Sequence, residues 1–354
     1  MDLDLFMDML SFPSTSGSER AFAGFLMERL KTPGCDVIPH EVGDGTLNML
    51  LDWSGTGHPS FVFCSHMDTV PPYISPSSAK VAPGDILPDG KTAVQEDVIF
   101  KGRGTCDAKG QVFSMYCACL ELQKQGLRDF GLLILAGEET GSFGAKSWTE
   151  NCPGGDFVLV GEPTDNSLVR ASKGTKAFEV TMKGRPCHSG YPEHGRSAVQ
   201  MFVDLMNMLE VVEFPEDPIL GKTTWNVGKL VSDNPQNILS PSSRFRIYFR
   251  TTFVTDALIH DKLLGVCPRG GNSTVVAFGG DEPMEYFSEV DGISQITASF
   301  GSDAPRLNKF SRRAICGPGS ILTAHTDKEY VLLSDLEKAV RQDLLIYRKA
   351  AGLA

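Results

Sequence analysis

The sequence predicts an α/β protein: a mixed, largely parallel sheet in one domain, with a small α+β domain inserted into it. Three observations lead there. Short, almost wholly apolar runs at 61–64, 132–136 and 157–160 alternate with helical stretches, the pattern of strands buried on both faces. From about 176 to 279 the pattern changes to strand alternation with two helical stretches between. There are five acid or histidine sites, His66-Met67-Asp68, Asp107, Glu138-Glu139, Glu162 and His325, and four of the five follow a short apolar run or a glycine-rich turn. In parallel sheets, ligands bind beyond the carboxyl ends of the strands.

The elements run in this order. Residues 3–12 and 18–31 read as helices, the second starting at Ser18 and Glu19. Strand 61–64 ends at His66. The stretch Pro71 to Pro88, rich in proline, serine and glycine, reads as a loop over the site. Val98-Ile99-Phe100 reads as a strand, followed by the turn that carries Asp107 and a helix over 110–125. Strands 132–136 and 157–160 lead to Glu138 and Glu162. In 176–184, Phe178, Val180 and Met182 alternate with Glu179 and Thr181. A helix over 196–212, strands 223–231 and 243–252, a helix over 255–266 and a strand at 273–279 complete a β-α-β-β-α-β order, the split βαβ arrangement. The expected domains are therefore 1–170 with 282–354, and 171–281. A final helix spans 333–350, with Leu336, Val340, Leu344, Leu345 and Tyr347 as its apolar residues.

Composition narrows the function classes. A chain of 354 residues suits two domains. The formal net charge of −11 would repel a phosphate backbone, so nucleic acid is not an expected partner. Met1-Asp2-Leu3-Asp4 is acidic where a signal peptide is basic, and no apolar run approaches membrane-spanning length. The expectation is a cytoplasmic protein with no membrane partner. The nine cysteines are odd in number and show no framework spacing, so they read as buried thiols in a reducing compartment.

The acid and histidine sites carry the chemistry. Together they offer enough ligands for two divalent metals, with one carboxylate left to act as a base. His66 alone could be a structural histidine. Asp68, two residues on in an extended segment, faces the same way and can hold the imidazole. Asp107 fits an Asx-turn or a helix cap as well as a carboxylate bridging two metals. Adjacent Glu138 and Glu139 at a strand end repel unless something positive is near. In the functional reading one holds a metal and the other takes a proton from water.

His66-Met67-Asp68-Thr69-Val70-Pro71, Gly104-Thr105-Cys106-Asp107-Ala108-Lys109-Gly110, Gly137-Glu138-Glu139-Thr140-Gly141-Ser142 and Gly161-Glu162-Pro163-Thr164 resemble, in order, the motifs of the M20 family of dinuclear-zinc amidohydrolases and exopeptidases. Lys173-Gly174, Cys316-Gly317-Pro318-Gly319-Ser320, Ala324-His325-Thr326 and Glu329-Tyr330 are most similar to the acetylornithine deacetylase and succinyl-diaminopimelate desuccinylase branch. The resemblance implies a zinc-exopeptidase-like catalytic domain and a ferredoxin-like dimerisation or lid domain. It implies one metal on His66 and Glu162, a second on Glu139 and His325, and Asp107 bridging them. Glu138 would be the general base and acid, and Asp68 would orient His66. His188, in Gly184-Arg185-Pro186-Cys187-His188-Ser189-Gly190, would enter the partner subunit's site and stabilise the oxyanion. Asn237 and Arg250 would hold substrate, the guanidinium suiting a free α-carboxylate, and Gly317 to Gly319 would add backbone contacts.

The implied cofactors are two divalent ions, zinc foremost, although cobalt and manganese compete for such sites. The implied reaction is hydrolysis of an N-acyl amino acid, N-acetyl- or N-succinyl-ornithine in the lead, in a homodimer serving arginine biosynthesis. A metallo-dipeptidase or carboxypeptidase is the alternative, since short motifs do not read the acyl side. A binding protein that kept the fold is a second alternative; it would be signalled by a missing ligand, and none is missing. A cysteine hydrolase built on Cys106 has no accompanying His–Asn pairing. Two departures stand out: Ala108 where the family usually has methionine, and Gln111 where glycine is common.

Overall fold

The computed structural model describes residues 1–43, 45–268 and 270–353. The chain divides into two compact units. The first is Met1–Arg170 with Tyr286–Ile296 and Ser302–Ala354; the second is Ala171–Glu285 with Thr297–Gly301. The chain thus returns to the first unit at Tyr286, later than 282, because Met284–Glu285 pairs with Ser172 and Ala171 as a short antiparallel strand.

The first unit is built on a six-stranded sheet in the order Asp36–Gly43, Thr46–Asp52, Phe130–Leu135, Phe61–His66, Phe157–Val160, Arg312–Ile315. The first two pairings are antiparallel and the other three parallel, so the sheet is mixed as expected. Every residue of Thr46–Asp52, Phe61–His66, Phe130–Leu135 and Phe157–Val160 is buried. Successive side chains point to opposite faces, so both faces are covered and apolar residues stand at nearly every position. The helix Lys109–Lys124 lies on the two central parallel strands and against Leu333–Ala350 and Leu3–Leu10. Phe157 stacks on Phe61 with centroids 5.0 Å apart, and Tyr347 meets Phe61 edge-on. Phe157→Ala should cost about 3–5 kcal/mol of stability, read by urea unfolding, the range for truncating a buried aromatic side chain.

A small antiparallel sheet joins Ser77–Val81, Asp97–Lys101 and Tyr330–Leu332. It corrects the reading of Pro71 to Pro88 as loop throughout. Ser77–Val81 is almost wholly exposed and is held by backbone pairing, so no apolar alternation marks it in the sequence.

The second unit is a four-stranded antiparallel sheet, Thr224–Val231, Ser242–Thr251, Gly174–Lys183, Ser273–Ala277, with helices Ala198–Glu210 and Ile259–Val266. The ferredoxin-like order is as expected. Phe178, Val180 and Met182 share a core with Phe245, Ile247 and Phe249 and with Met201, Leu205, Ile259 and Leu263. Ser197 caps the first helix by accepting the Gln200 N–H at 3.3 Å. The second helix is preceded by a 3₁₀ turn, Asp256–Leu258, where the sequence reads as continuous helix.

Candidate metal centre

Adjacent strands bring the first ligands together. His66 closes Phe61–His66, Glu138 and Glu139 follow Phe130–Leu135, and Glu162 follows Phe157–Val160. These are three neighbouring parallel strands, so their carboxyl ends open on one edge. Asp107 comes from the turn before the helix Lys109–Lys124. His325 comes from the loop before Tyr330–Leu332, where its φ of 64° turns the backbone left-handed.

Asp107 stands between the two histidines. Its Oδ1 lies 3.1 Å from His66 Nε2 and its Oδ2 3.2 Å from His325 Nε2. His325 Nε2 also lies 2.9 Å from Glu139 Oε1. His66, Asp107 and Glu162 can present one ligand atom each within 4.8 Å of one another, as can Asp107, Glu139 and His325. Glu138 comes within the same reach of His66 and Glu139.

Asp68 organises this edge. It is fully buried, and His66 Nδ1 lies 3.0 Å from its backbone carbonyl and 3.4 Å from its Oδ1. The backbone N–H groups of Glu138 and Glu139 donate to Oδ1 and Oδ2 at 3.0 and 3.2 Å, and Ser16 Oγ donates to Oδ2 at 2.7 Å. One carboxylate thus fixes both the histidine ring and the turn that bears the glutamates.

The electrostatics call for a cation. A carbonyl beside Nδ1 places the proton of neutral His66 there, so the Nε2 lone pair faces the Asp107 carboxylate. Those two acceptors need a proton or a metal between them. Burial opposes the charged ring, yet Asp107 and Asp68 outweigh it and hold the His66 pKa well above its ordinary value. His325 is pushed up to about 10, mainly by hydrogen bonding to Asp107 and Glu139. Asp107 is correspondingly lowered by its two histidines, against the effect of burial. Glu138 and Glu162 are pushed well up by burial first and by neighbouring carboxylates second. Glu162 Oε1 is buried without a hydrogen-bond partner. A divalent ion would replace the protons, satisfy that oxygen and relieve the repulsion. The donor set, imidazole nitrogen and carboxylate oxygen, suits zinc and its neighbours.

The other residues singled out in the sequence divide between the units. Gly317 and Gly319 lie beside the Glu162 segment: the Gly317 N–H donates to Thr164 Oγ1 at 2.9 Å, and the Asp165 N–H to the Gly319 carbonyl at 2.7 Å. His188, Asn237 and Arg250 belong to the second unit. There the Ser189 N–H donates to the Asn237 carbonyl at 2.9 Å, so His188 and Asn237 sit on paired segments. His188 Nδ1 accepts the Gly190 N–H at 3.1 Å, which leaves the proton of the neutral ring on Nε2. Arg250 lies 5.0 Å from the Tyr248 ring, and its Nη1 is buried without a hydrogen-bond partner.

Three site residues carried no role in the sequence reading. Glu329 Oε1 accepts the N–H groups of Gly104, Cys106 and Asp107, and its Oε2 accepts Arg103 Nη1 at 2.7 Å. Asp303 is buried, its pKa raised to about 6 by burial first and, among charges, by Asp68, while His66 opposes the rise. Gln111 joins two loops, as described below. The signal available for Glu329 was its place in the Glu329-Tyr330 pair after His325, with a lone Arg103 between two glycines. Asp303 follows no apolar run, and nothing local marks it.

The histidines and carboxylates gathered at the strand ends and on two loops form sets that could hold metal ions. The model of peptidase family M20/M25/M40 matches residues 62–342, and the chain belongs to that family. A probable carboxypeptidase of Aspergillus fumigatus is 32% identical, over 96% of this chain and 84% of its own length. Two crystal structures share the fold. A tripeptidase from Staphylococcus aureus has a TM-score of 0.79 at 20% identity, covering 99% of this chain and 98% of its own. An M20 family metallo-carboxypeptidase from Sulfolobus solfataricus has a TM-score of 0.71 at 14% identity, covering 99% of each. Among the described residues no helix is long and apolar enough to cross a membrane.

Proposed function

We propose that this protein is a metallo-carboxypeptidase or dipeptidase that hydrolyses the amide bond next to a free α-carboxylate. The observation that carries a hydrolytic reading is the pair of ligand sets sharing Asp107. Arg250, with a buried and unpartnered Nη1, supports a substrate carboxylate. Lys173 strengthens this: its ammonium is held below its usual range by burial and then by Arg250, so two cations lie near each other. A free carboxylate is common to peptides and N-acyl amino acids. The choice of peptide over acyl-ornithine rests on relatives named carboxypeptidase and tripeptidase.

His66, Asp107 and Glu162, and Asp107, Glu139 and His325, would hold two divalent ions, zinc foremost, which would supply Lewis acidity and lower the pKa of water. Glu138 takes the proton of the attacking water and returns it to the departing amine. Asp68 holds His66 in one tautomer and fixes the Glu138 turn. The Nε2–H of His188, supplied by a second copy, stabilises the developing oxyanion. Asn237 and the Gly317–Gly319 backbone position the substrate. The first unit is the catalytic domain and the second the lid and dimerisation domain of a homodimer.

The test is amine release from free and N-blocked dipeptides, with free or amidated carboxyl ends, alongside N-acetyl- and N-succinyl-ornithine. Free-acid peptides should be cleaved and their amides spared. Arg250→Ala should lower kcat/KM on the free acids roughly 10–150-fold, the worth of a hydrogen bond to a charged group. Turnover of an acyl-ornithine alone would return the protein to the deacylase reading, and inactivity with two metals bound would favour a binding protein.

A further inference from the structure

Gln111 lies on the first turn of the helix Lys109–Lys124 and is fully buried. Its Nε2 donates to the Cys106 carbonyl at 2.7 Å and to the Pro318 carbonyl at 2.8 Å. The first acceptor immediately precedes Asp107. The second lies between Gly317 and Gly319, whose segment is bonded in turn to the one after Glu162. The Gly317 N–H meets Thr164 Oγ1 at 2.9 Å, the Asn166 N–H meets the Gly317 carbonyl at 2.8 Å, and the Asp165 N–H meets the Gly319 carbonyl at 2.7 Å. A hydrogen-bonded path therefore runs from Asp107 through one amide to the segment of Glu162.

The packing around this amide leaves little slack. A Cβ on Gly317 would stand 2.1 Å from Gln111 Oε1, one on Gly161 2.9 Å from Gln111 Cβ, and one on Gly319 2.3 Å from Cys106 Cβ. Gln111 Oε1 itself is buried without a partner. An unpaired buried acceptor is costly, so what the side chain contributes is its NH₂ group, whose two protons serve two carbonyls at once. Glutamate has no such group, methionine has the length without the donor, and glycine has neither.

We propose that Gln111 is a positioning residue that sets the spacing of Asp107 and Glu162, and so tunes the metal site that these two share with His66. The proposal rests on the metal-centre reading above. Removing the amide frees the Asp107 turn from the Pro318 segment, and that site loosens. The set formed by Asp107, Glu139 and His325 keeps its two other ligands, which the amide does not touch.

The experiment is titration of the metal-stripped full-length protein with cobalt(II), following the visible spectrum, for the natural protein, Gln111→Met and Gln111→Gly. Thermal unfolding of each is measured alongside. Both variants should weaken one of two cobalt-binding steps roughly 10–100-fold, the usual loss when a group that orients a ligand is removed, and should change the spectrum of that step more than that of the other, which shares only Asp107 with it. The glycine variant covers the case in which methionine does not fold, since glycine leaves room for water at the two carbonyls. Unchanged cobalt affinities and spectra, even with a lowered melting temperature, would reduce Gln111 to a packing role and overturn the proposal. A natural protein that binds no cobalt would overturn the metal-centre reading, and this proposal with it.

Discussion

Glu138→Gln should lower kcat by roughly 10²–10⁴-fold, the range for loss of a general acid–base group, while the protein keeps both metal ions. The amide preserves size and cannot take a proton from water. The turn should not move, because it is held through backbone N–H groups on Asp68, not through the Glu138 side chain. Glu139→Gln should behave differently. Glu139 Oε1 lies 2.9 Å from His325 Nε2, within the ligand set that includes Asp107, so this variant should lose metal along with activity. Metal content and single-turnover rate on the same preparations separate the two. Loss of metal from Glu138→Gln with retention in Glu139→Gln would exchange their roles, which is open to test because Glu138 also stands within reach of His66 and Glu139.

How far the sequence could be read depended on where each residue gets its constraint. Phe61–His66, Phe130–Leu135 and Phe157–Val160 were legible because burial on both faces demands apolar side chains at nearly every position. The β-α-β-β-α-β unit was legible because one face of its sheet is buried and alternation records that. The edge hairpin strand Asp36–Gly43 and the strand Ser77–Val81 were not, since both are largely solvated and held by backbone pairing. The helix Phe143–Asn151 was also missed: it has only three buried residues and no side-chain cap. In the site, His66, Glu138, Glu139 and Glu162 could be grouped from their common place after strands. Asp107 and His325 join them through loops, and there the motif resemblance carried the expectation. Gln111 was legible only as a departure. Its two carbonyl partners are 5 and 207 residues away, and spacing says nothing about such a link.

Glu329→Ala should be the most destabilising change at the site, costing about 3–5 kcal/mol, as when one partner of a buried ion pair is removed. Arg103 and Glu329 are both buried, their side chains 2% and 0% exposed, so truncation strands the guanidinium away from water. Arg103 Nη1 would retain the Thr326 carbonyl, which does not neutralise it. The N–H groups of Gly104, Cys106 and Asp107 would lose their common acceptor in the same stroke. Glu329→Gln separates these effects. Its carbonyl can still accept the three N–H groups, while its NH₂ faces Arg103 in place of a carboxylate oxygen. The glutamine variant should therefore keep metal binding better than stability, and the alanine variant should lose both. Urea unfolding of the metal-free protein gives the first quantity and metal content after dialysis the second. If Glu329→Ala unfolds at the natural midpoint, the ion pair contributes nothing net. If it keeps full metal content, the Asp107 turn is held by its remaining bonds, among them the contact of the Cys106 carbonyl with Gln111, and Glu329 does not position the bridging carboxylate.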